Sequence, residues 1–144
     1  MSTTPNSRIL VQSIRRASAV CTLANAVYAG TLNGSPTANF NILPLISAGV
    51  NGSLLRGLKA IPRATVTATQ LQLFTSPDSG TTVFLDNTAL MAAATMSQTT
   101  QMPQTDFGYS DTLPMYLAPG WSLYVGIGVA LAGGIVFMAG VGDF

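Results

Sequence analysis

The chain has 144 residues, of which only 8% are charged while 48% are hydrophobic. It contains no His and no Glu, so Ser/His/Asp triads, Cys/His dyads and ordinary zinc sites are excluded. We therefore expect no enzymatic activity, no cofactor and no metal. A chain of this length is typical of one domain. Its low charge indicates that part of the surface packs against other molecules.

The charges are segregated along the chain, because all six basic residues precede all five acidic ones. This order predicts either oppositely charged faces that dock partners in a complementary way or two halves that fold next to each other. Nucleic-acid binding requires a denser basic patch than the pair Arg15 and Arg16 provides. No nucleic-acid partner is predicted.

The N-terminal residues 1–16 are predicted to form an extended arm, and residues 17–144 the single domain. A secretory signal is not expected, because Arg15 and Arg16 interrupt the apolar run that such a signal requires. Residues 8–28 fit a helical stripe and a strand equally well, so their secondary structure stays open. Cys21 is a small apolar residue of the kind that lies in a core.

The next two strands are predicted at residues 39–47 and 54–61. The first contains Pro44, which indicates an edge strand or a bulge because proline cannot donate to a sheet ladder. The second follows the turn formed by Asn51 and Gly52.

Residues 64–74 alternate between threonine and small apolar residues, and then the phase of the alternation changes. Such a change indicates a bulge or the passage of the chain between sheets. The turn-forming sequence at residues 76–80 predicts a hairpin with a partner strand at 81–86. A short helix is predicted at 87–96, because Asp86 or Asn87 can cap it and it contains three consecutive alanines. Residues 97–114 are predicted to form a long polar loop.

Residues 123–142 carry no charge and have the length of a membrane-spanning helix. Their apolar residues alternate with a period of two on either side of the turn-forming Gly133 and Gly134, which favours two β-strands. We therefore predict a hairpin of two strands here, and no membrane association.

Seven or eight short strands separated by Gly, Pro and Asn are typical of an all-β protein. The predicted fold is an antiparallel β-sandwich or jelly roll with one or two short helices and an extended N-terminal arm.

No residue is predicted to be catalytic, and the candidate functional residues are those suited to protein interfaces. Large aromatic and methionine side chains in and after the long loop can serve as anchors, and the arginines of the basic half can contact a partner. The predicted interface residues are Arg8, Arg15, Arg16, Arg56, Tyr109, Met115, Tyr116 and Trp121.

Two stretches carry a resemblance to a known class of protein. The first runs from NGSLLRGLKAI at residues 51–61 through ATVTA at 64–68 to LQLF at 71–74, and the second is LAPGWSLYV at 117–125 with GDF at 142–144. They resemble small virion structural proteins of tailed bacteriophages, of the decoration or cement type. The resemblance extends from residue 51 to 144. It implies a β-sandwich on the outer surface of the capsid that binds the major capsid protein as a homo-oligomer, with a trimer favoured.

Other functions remain as alternatives. Tail accessory and head-completion proteins are further virion components of this kind. A carbohydrate-binding jelly roll is another, in which Trp121 and Tyr124 would form a stacking platform. A small membrane protein that spans the bilayer at residues 123–142 is the remaining alternative.

Overall fold

The computed structural model describes residues 11–30 and 40–144. This part of the chain forms ten β-strands and contains no helix. Arg8 and the first ten residues of the predicted arm lie outside the described residues. The predicted all-β sandwich is confirmed, since the strands form two antiparallel sheets with the main core between them.

Sheet A has the order β1-β10-β4-β7, and β8 pairs with β4 beside β7. Its strands are β1 (Ser13–Cys21), β4 (Ser53–Pro62), β7 (Thr105–Asp106), β8 (Met115–Leu117) and β10 (Ile135–Asp143). Sheet B has the order β2-β6-β5-β9-β3. Its strands are β2 (Ala29–Gly30), β3 (Leu43–Ser47), β5 (Thr69–Ser76), β6 (Val83–Met91) and β9 (Ser122–Ile127).

Alternating apolar residues of the central strands form the core. Leu123, Val125 and Ile127 of β9 are fully buried and face Phe137 and Ala139 of β10 across the sandwich. Leu71 and Leu73 of β5 complete the same layer. Each of these large side chains contributes about 1.5–3 kcal/mol when it is removed from water, so the packing of the two sheets is the main source of stability.

The strands predicted within residues 123–142 exist, but the predicted hairpin is wrong. β9 pairs with β5 and β3 in sheet B, whereas β10 pairs with β1 and β4 in sheet A. The residues between them, 128–134, carry the chain from one sheet to the other. No helix in the described residues is long and apolar enough to cross a membrane.

The predicted helix at residues 87–96 is also wrong. Residues 87–91 continue β6 and pair with Leu73–Thr69 of β5 in a regular antiparallel ladder. Ala94 then forms an isolated bridge with Val66. A long ladder with β5 outweighs the helix propensity of the alanines, because tertiary contacts override weak local preferences.

Several local predictions are confirmed. β3 is an edge strand whose register shifts between Pro44 and Ile46, as the proline indicated. β5 and β6 form the predicted hairpin. The change of phase in residues 64–74 also exists: Val66 and Thr69 are both buried, and the intervening Thr67 and Ala68 belong to no strand.

The ambiguous segment at residues 8–28 contains a strand. β1 begins at Ser13, so Arg15 and Arg16 belong to sheet A although the sequence placed them in the arm. The last residue of β1 is Cys21, which is buried as predicted, and burial raises the pKa of its thiol to about 12. The sandwich therefore begins four residues before the predicted boundary at residue 17.

Candidate interaction surfaces

Part of the outer face of sheet B is covered by the chain itself. Phe74 points away from the main core and packs, fully buried, with Phe40, Ile42 and Val83 in a second cluster. The rings of Phe40 and Phe74 meet edge to face, with their centroids 6.2 Å apart. Phe40 and Ile42, which precede β3, thus cover Phe74 and the neighbouring part of sheet B, whereas Leu90 of β6 stays 72% exposed.

Hydrogen bonds of buried amide side chains connect this cover to the sheet. Asn25 and Gln72 are both almost completely buried, and Asn25 Nδ2 donates to Gln72 Oε1 at 2.7 Å. Asn25 Nδ2 also donates to the carbonyl of Val27, and Asn25 Oδ1 accepts from the backbone N–H of Asn41. Gly126 leaves room for the network, because a Cβ there would lie 3.0 Å from Gln72 Oε1. These bonds satisfy polar groups whose burial would otherwise be costly.

The outer face of sheet A, by contrast, has no described strand packed on it. In β10, Ile135, Phe137 and Ala139 point into the core, so Val136 and Met138 between them point outward and are partly exposed. The outward residues of β1, β10 and β4 form rows across the sheet. These residues are Ile14, Arg16, Ser18, Val20, Leu54, Gly57, Lys59, Ile61, Val136, Met138, Gly140 and Gly142. We call this set the outer face of sheet A.

A hollow lies in the middle of this face because two glycines pair there. Gly57 of β4 lies opposite Gly140 of β10, and a Cβ added to either residue would meet no atom within 4 Å. The hollow has a volume of about 190 Å³, and Arg16, Lys59 and Met138 stand at its rim. The register of β4 and β10 shifts next to these glycines, which bends the sheet locally.

The basic and acidic halves of the chain partly neutralise each other, which is the second of the two interpretations of the charge order. Arg15 forms an ion pair with Asp143 at 2.7 Å, and Arg56 forms one with Asp111 at 2.8 Å. Hydrogen bonds from Arg15 and then Ser53 hold the pKa of Asp143 below its usual value. Within the described residues Arg16 forms no ion pair, so it is available to an acidic partner.

Three predicted interface residues meet at one end of the sandwich. Met115, Tyr116 and Trp121 line a cleft of about 360 Å³ together with Asp86. Burial raises the pKa of Asp86, and no hydrogen bond or ion pair to its carboxylate is found among the described residues. Tyr116 is the most open of the three, with 56% of its surface exposed.

The remaining predicted residues have internal roles or lie outside the described part. Arg15 donates to Asp143 and to the carbonyl of Ser47, which connects the edges of the two sheets. Tyr109 packs against the main core and accepts a hydrogen bond from Asn87, and burial raises its pKa. Arg8 is not described.

The stacking platform proposed for a carbohydrate is not formed by Trp121 and Tyr124. Trp121 packs against the main core, whereas Tyr124 packs against the second cluster on the other side of sheet B. The two rings therefore face different surfaces of the sandwich.

Sequence reasoning missed Gly57, Gly140 and Met138, which shape the outer face of sheet A. A signal for the hollow was present, since glycine within a strand indicates a bulge or a close approach to another group. What the sequence did not contain is the register that places two such glycines opposite each other.

No protein-family model matches the chain, and no curated protein matches it. Among solved structures, it is similar to a chain from "Structure of infectious bursal disease virus Gx strain", with 12% identity and a TM-score of 0.24. The similarity covers 99% of this chain but 45% of that one, so this chain spans less than half of the viral chain's length. A likeness this weak supports no conclusion about fold or function.

Proposed function

We propose that the chain is a non-enzymatic structural component of a virus particle, namely a decoration protein on the outer capsid surface of a tailed bacteriophage. It would bind the major capsid protein, act as a homo-oligomer and stabilise the shell. The resemblance in residues 51–144 leads to this class. The observation that supports the binding role is the outer face of sheet A, on which no described strand packs.

This face suits a docking surface because it combines apolar residues with few charges. Val136, Met138 and Ile61 are apolar and only partly buried, and Ile14 is 74% exposed. Covering such side chains with a partner contributes about 25 cal/mol for each Å² removed from water. Arg16 forms no ion pair within the described residues and lies at the rim of the hollow with Lys59 and Asp106, so it can pair with an acidic residue on the partner surface.

A substitution that fills the hollow tests this role. Gly140→Gln adds a side chain where the free protein has open space, so the fold is retained while the docking surface is obstructed. Binding to purified shells that lack the protein, measured by co-sedimentation, should fall at least about tenfold, which corresponds to ~1.4 kcal/mol.

The matched control is Ala93→Gln, which adds the same side chain at an exposed position after β6. It should bind shells like the unchanged protein. Unchanged shell occupancy by the Gly140→Gln protein would contradict the assignment of this face.

The copy number in purified particles tests the class of protein itself. A decoration protein should copurify with assembled particles in a fixed ratio, comparable to the major shell subunit. A tail accessory or head-completion protein should be present in only a few copies. Absence from purified particles would overturn the virion assignment.

A further inference from the structure

We infer that the edge of β1 on which no described strand pairs forms a ladder with β1 of a second copy, in an antiparallel arrangement related by a two-fold axis at Ala17. This inference rests on the self-association part of the proposed function. It does not depend on shell binding, so the two can fail separately.

β1 is the longest edge without an irregularity among the described strands. It has nine residues, no proline and no register shift, and only β10 pairs with it. β6 also has an open edge, over residues 85–91, but a register shift interrupts it. The edge strand β3 is five residues long and is interrupted at Pro44, and β2, β7 and β8 have two or three residues each. Monomeric proteins normally interrupt or cover a long edge such as β1, because it invites pairing with another chain.

The direction of the free backbone groups follows from the hydrogen bonds of the neighbouring strands. The carbonyl of Leu58 accepts from the N–H of Phe107, on the side of β4 away from β10. Backbone groups alternate in direction along a strand, so the next residue of β4 faces β10 and bonds its partner Met138. Ala139 must then face β1, where it pairs with Ala17.

The residues on either side of Ala17 therefore direct their backbone groups to the open edge. Backbone N–H and C=O groups on this edge form no hydrogen bond with a described strand. They belong to Ile14, Arg16, Ser18 and Val20. These residues can form a regular ladder with a further strand, which is the usual mode of β-strand addition.

The sequence of β1 is complementary to itself in one register. With Ala17 opposite Ala17 of the second copy, all nine residues overlap. Ile14 then lies opposite Val20 of the second copy, and Arg16 lies opposite its Ser18. Apolar residues meet apolar ones, which stabilises a ladder, and like charges are kept apart. Centring the pair on Arg16 instead would place two arginines directly opposite each other.

Exposed leucines beside this edge support the same surface. Leu23 is 61% exposed and Leu43 is 39% exposed, and both line a small apolar cavity of about 110 Å³ next to Cys21. A second copy added along β1 would cover side chains of this kind, which a free monomer leaves in water.

The mass of the free protein is the first test. Sedimentation equilibrium at several concentrations should show a monomer–dimer equilibrium. A monomer at all concentrations would overturn the inference. A trimer, which the resemblance implies, would overturn it as well, because a two-fold edge pairs only two chains.

Variants at Ser18 test the surface. Ser18→Pro removes a backbone N–H that points to the open edge and leaves the ladder with β10 intact, so it should abolish the dimer, whereas Ser18→Ala should retain it. Ser18→Glu places a carboxylate opposite Arg16 of the second copy and should tighten the dimer several-fold. Ser18→Lys should weaken the dimer by a similar factor. If the Ser18→Pro protein does not fold, the comparison of the Glu and Lys variants tests the surface by itself. A dimer indifferent to all four variants uses another surface.

Cysteine cross-linking tests the register. Residues at position 17 of the two copies form a non-hydrogen-bonded pair, with Cα atoms about 4.5 Å apart, which suits a disulfide. In a Cys21→Ala background, Ala17→Cys should therefore give a covalent dimer on mild oxidation. The matched Ala19→Cys protein should not, because residue 19 lies opposite Arg15 of the second copy. Cross-linking at 19 and not at 17 would refute the proposed register.

Discussion

The two outer faces of the sandwich both carry apolar side chains, but they differ in how far the described chain shields these side chains from water. The outward residues of sheet B include Phe74, which is completely buried because the segment containing Phe40 and Ile42 packs over it. The outward residues of sheet A include Val136 and Met138, which remain partly exposed. On sheet B the described chain covers the part around Phe74 and leaves Leu90 of β6 exposed, whereas on sheet A no described strand packs on the outer face.

The two faces are therefore expected to affect different quantities, namely the free energy of unfolding for sheet B and the affinity for a partner for sheet A. Side chains under the cover of sheet B contribute to folding of the monomer, so their removal should lower the free energy of unfolding. Side chains on the outer face of sheet A contribute little until a partner covers them, and their removal should lower binding instead. Three measurements of stability test this difference between the two faces and the contacts around them.

The largest effect is expected at Phe74. Phe74→Ala should lower the free energy of unfolding by about 3–5 kcal/mol, because it leaves a cavity in a closed cluster. Met138→Ala, at a corresponding position on the outer face of sheet A, should cost less than about 1 kcal/mol. Chemical denaturation of both proteins gives the two values. Similar losses would show that the two faces are equally covered.

A smaller effect is expected at Asn25, which fastens the cover to sheet B. Asn25→Ala removes the donor to Gln72 and leaves a buried amide without its partner, which costs about 1–3 kcal/mol. Gln104→Ala is the control, since its contact with Lys59 is long, at 3.5 Å, and exposed. If equilibrium denaturation gave the same stability for the two variants, the amide network would not hold the cover.

The smallest effect is expected at Asp143, where β1, β4 and β10 meet. Its pKa is lowered in the folded protein by Arg15 and Ser53, so the folded state binds the proton less tightly than the unfolded state. The resulting stabilisation is complete above the unfolded pKa of about 3.9 and is lost as the pH falls through the lower folded value. Thermal denaturation between pH 6 and pH 2 should show this loss, and Asp143→Asn should reduce it. An unchanged pH dependence in the variant would place the titrating group elsewhere.

Sequence and structure agree best where the pattern is local. Pro44 indicated an interrupted edge strand, and residues 76–80 indicated the turn of the β5–β6 hairpin; both are present. The period-two pattern at 123–142 identified strands rather than a membrane helix. Each of these signals depends on a few consecutive residues whose backbone preferences or alternation act directly.

The wrong predictions concern segments whose structure depends on contacts with residues far away in the chain. The alanines after Asn87 favour a helix locally, but the ladder with β5 extends β6 through Met91. Gly133 and Gly134 do form a tight turn, in which the N–H of Gly134 donates to the carbonyl of Leu131 at 2.9 Å, but this turn lies in a connection between the two sheets and not in a hairpin. Of the candidate site, the sequence predicted Arg16 and Arg56 as interface residues. Arg16 lies at the rim of the hollow and Arg56 pairs with Asp111, while the hollow between Gly57 and Gly140 depends on the pairing of strands that are far apart in the chain.

The all-β class, most of the strands and the low charge of the surface follow from the amino-acid sequence. Alternation and turn residues are local properties, so they can be recognised without knowing which segments pair. The pairing of the strands, the covered part of sheet B and the edge of β1 that no described strand pairs with are visible only in the folded structure. Those outcomes depend on which distant segments come together, since the same alternating strand is equally stable beside several different neighbours.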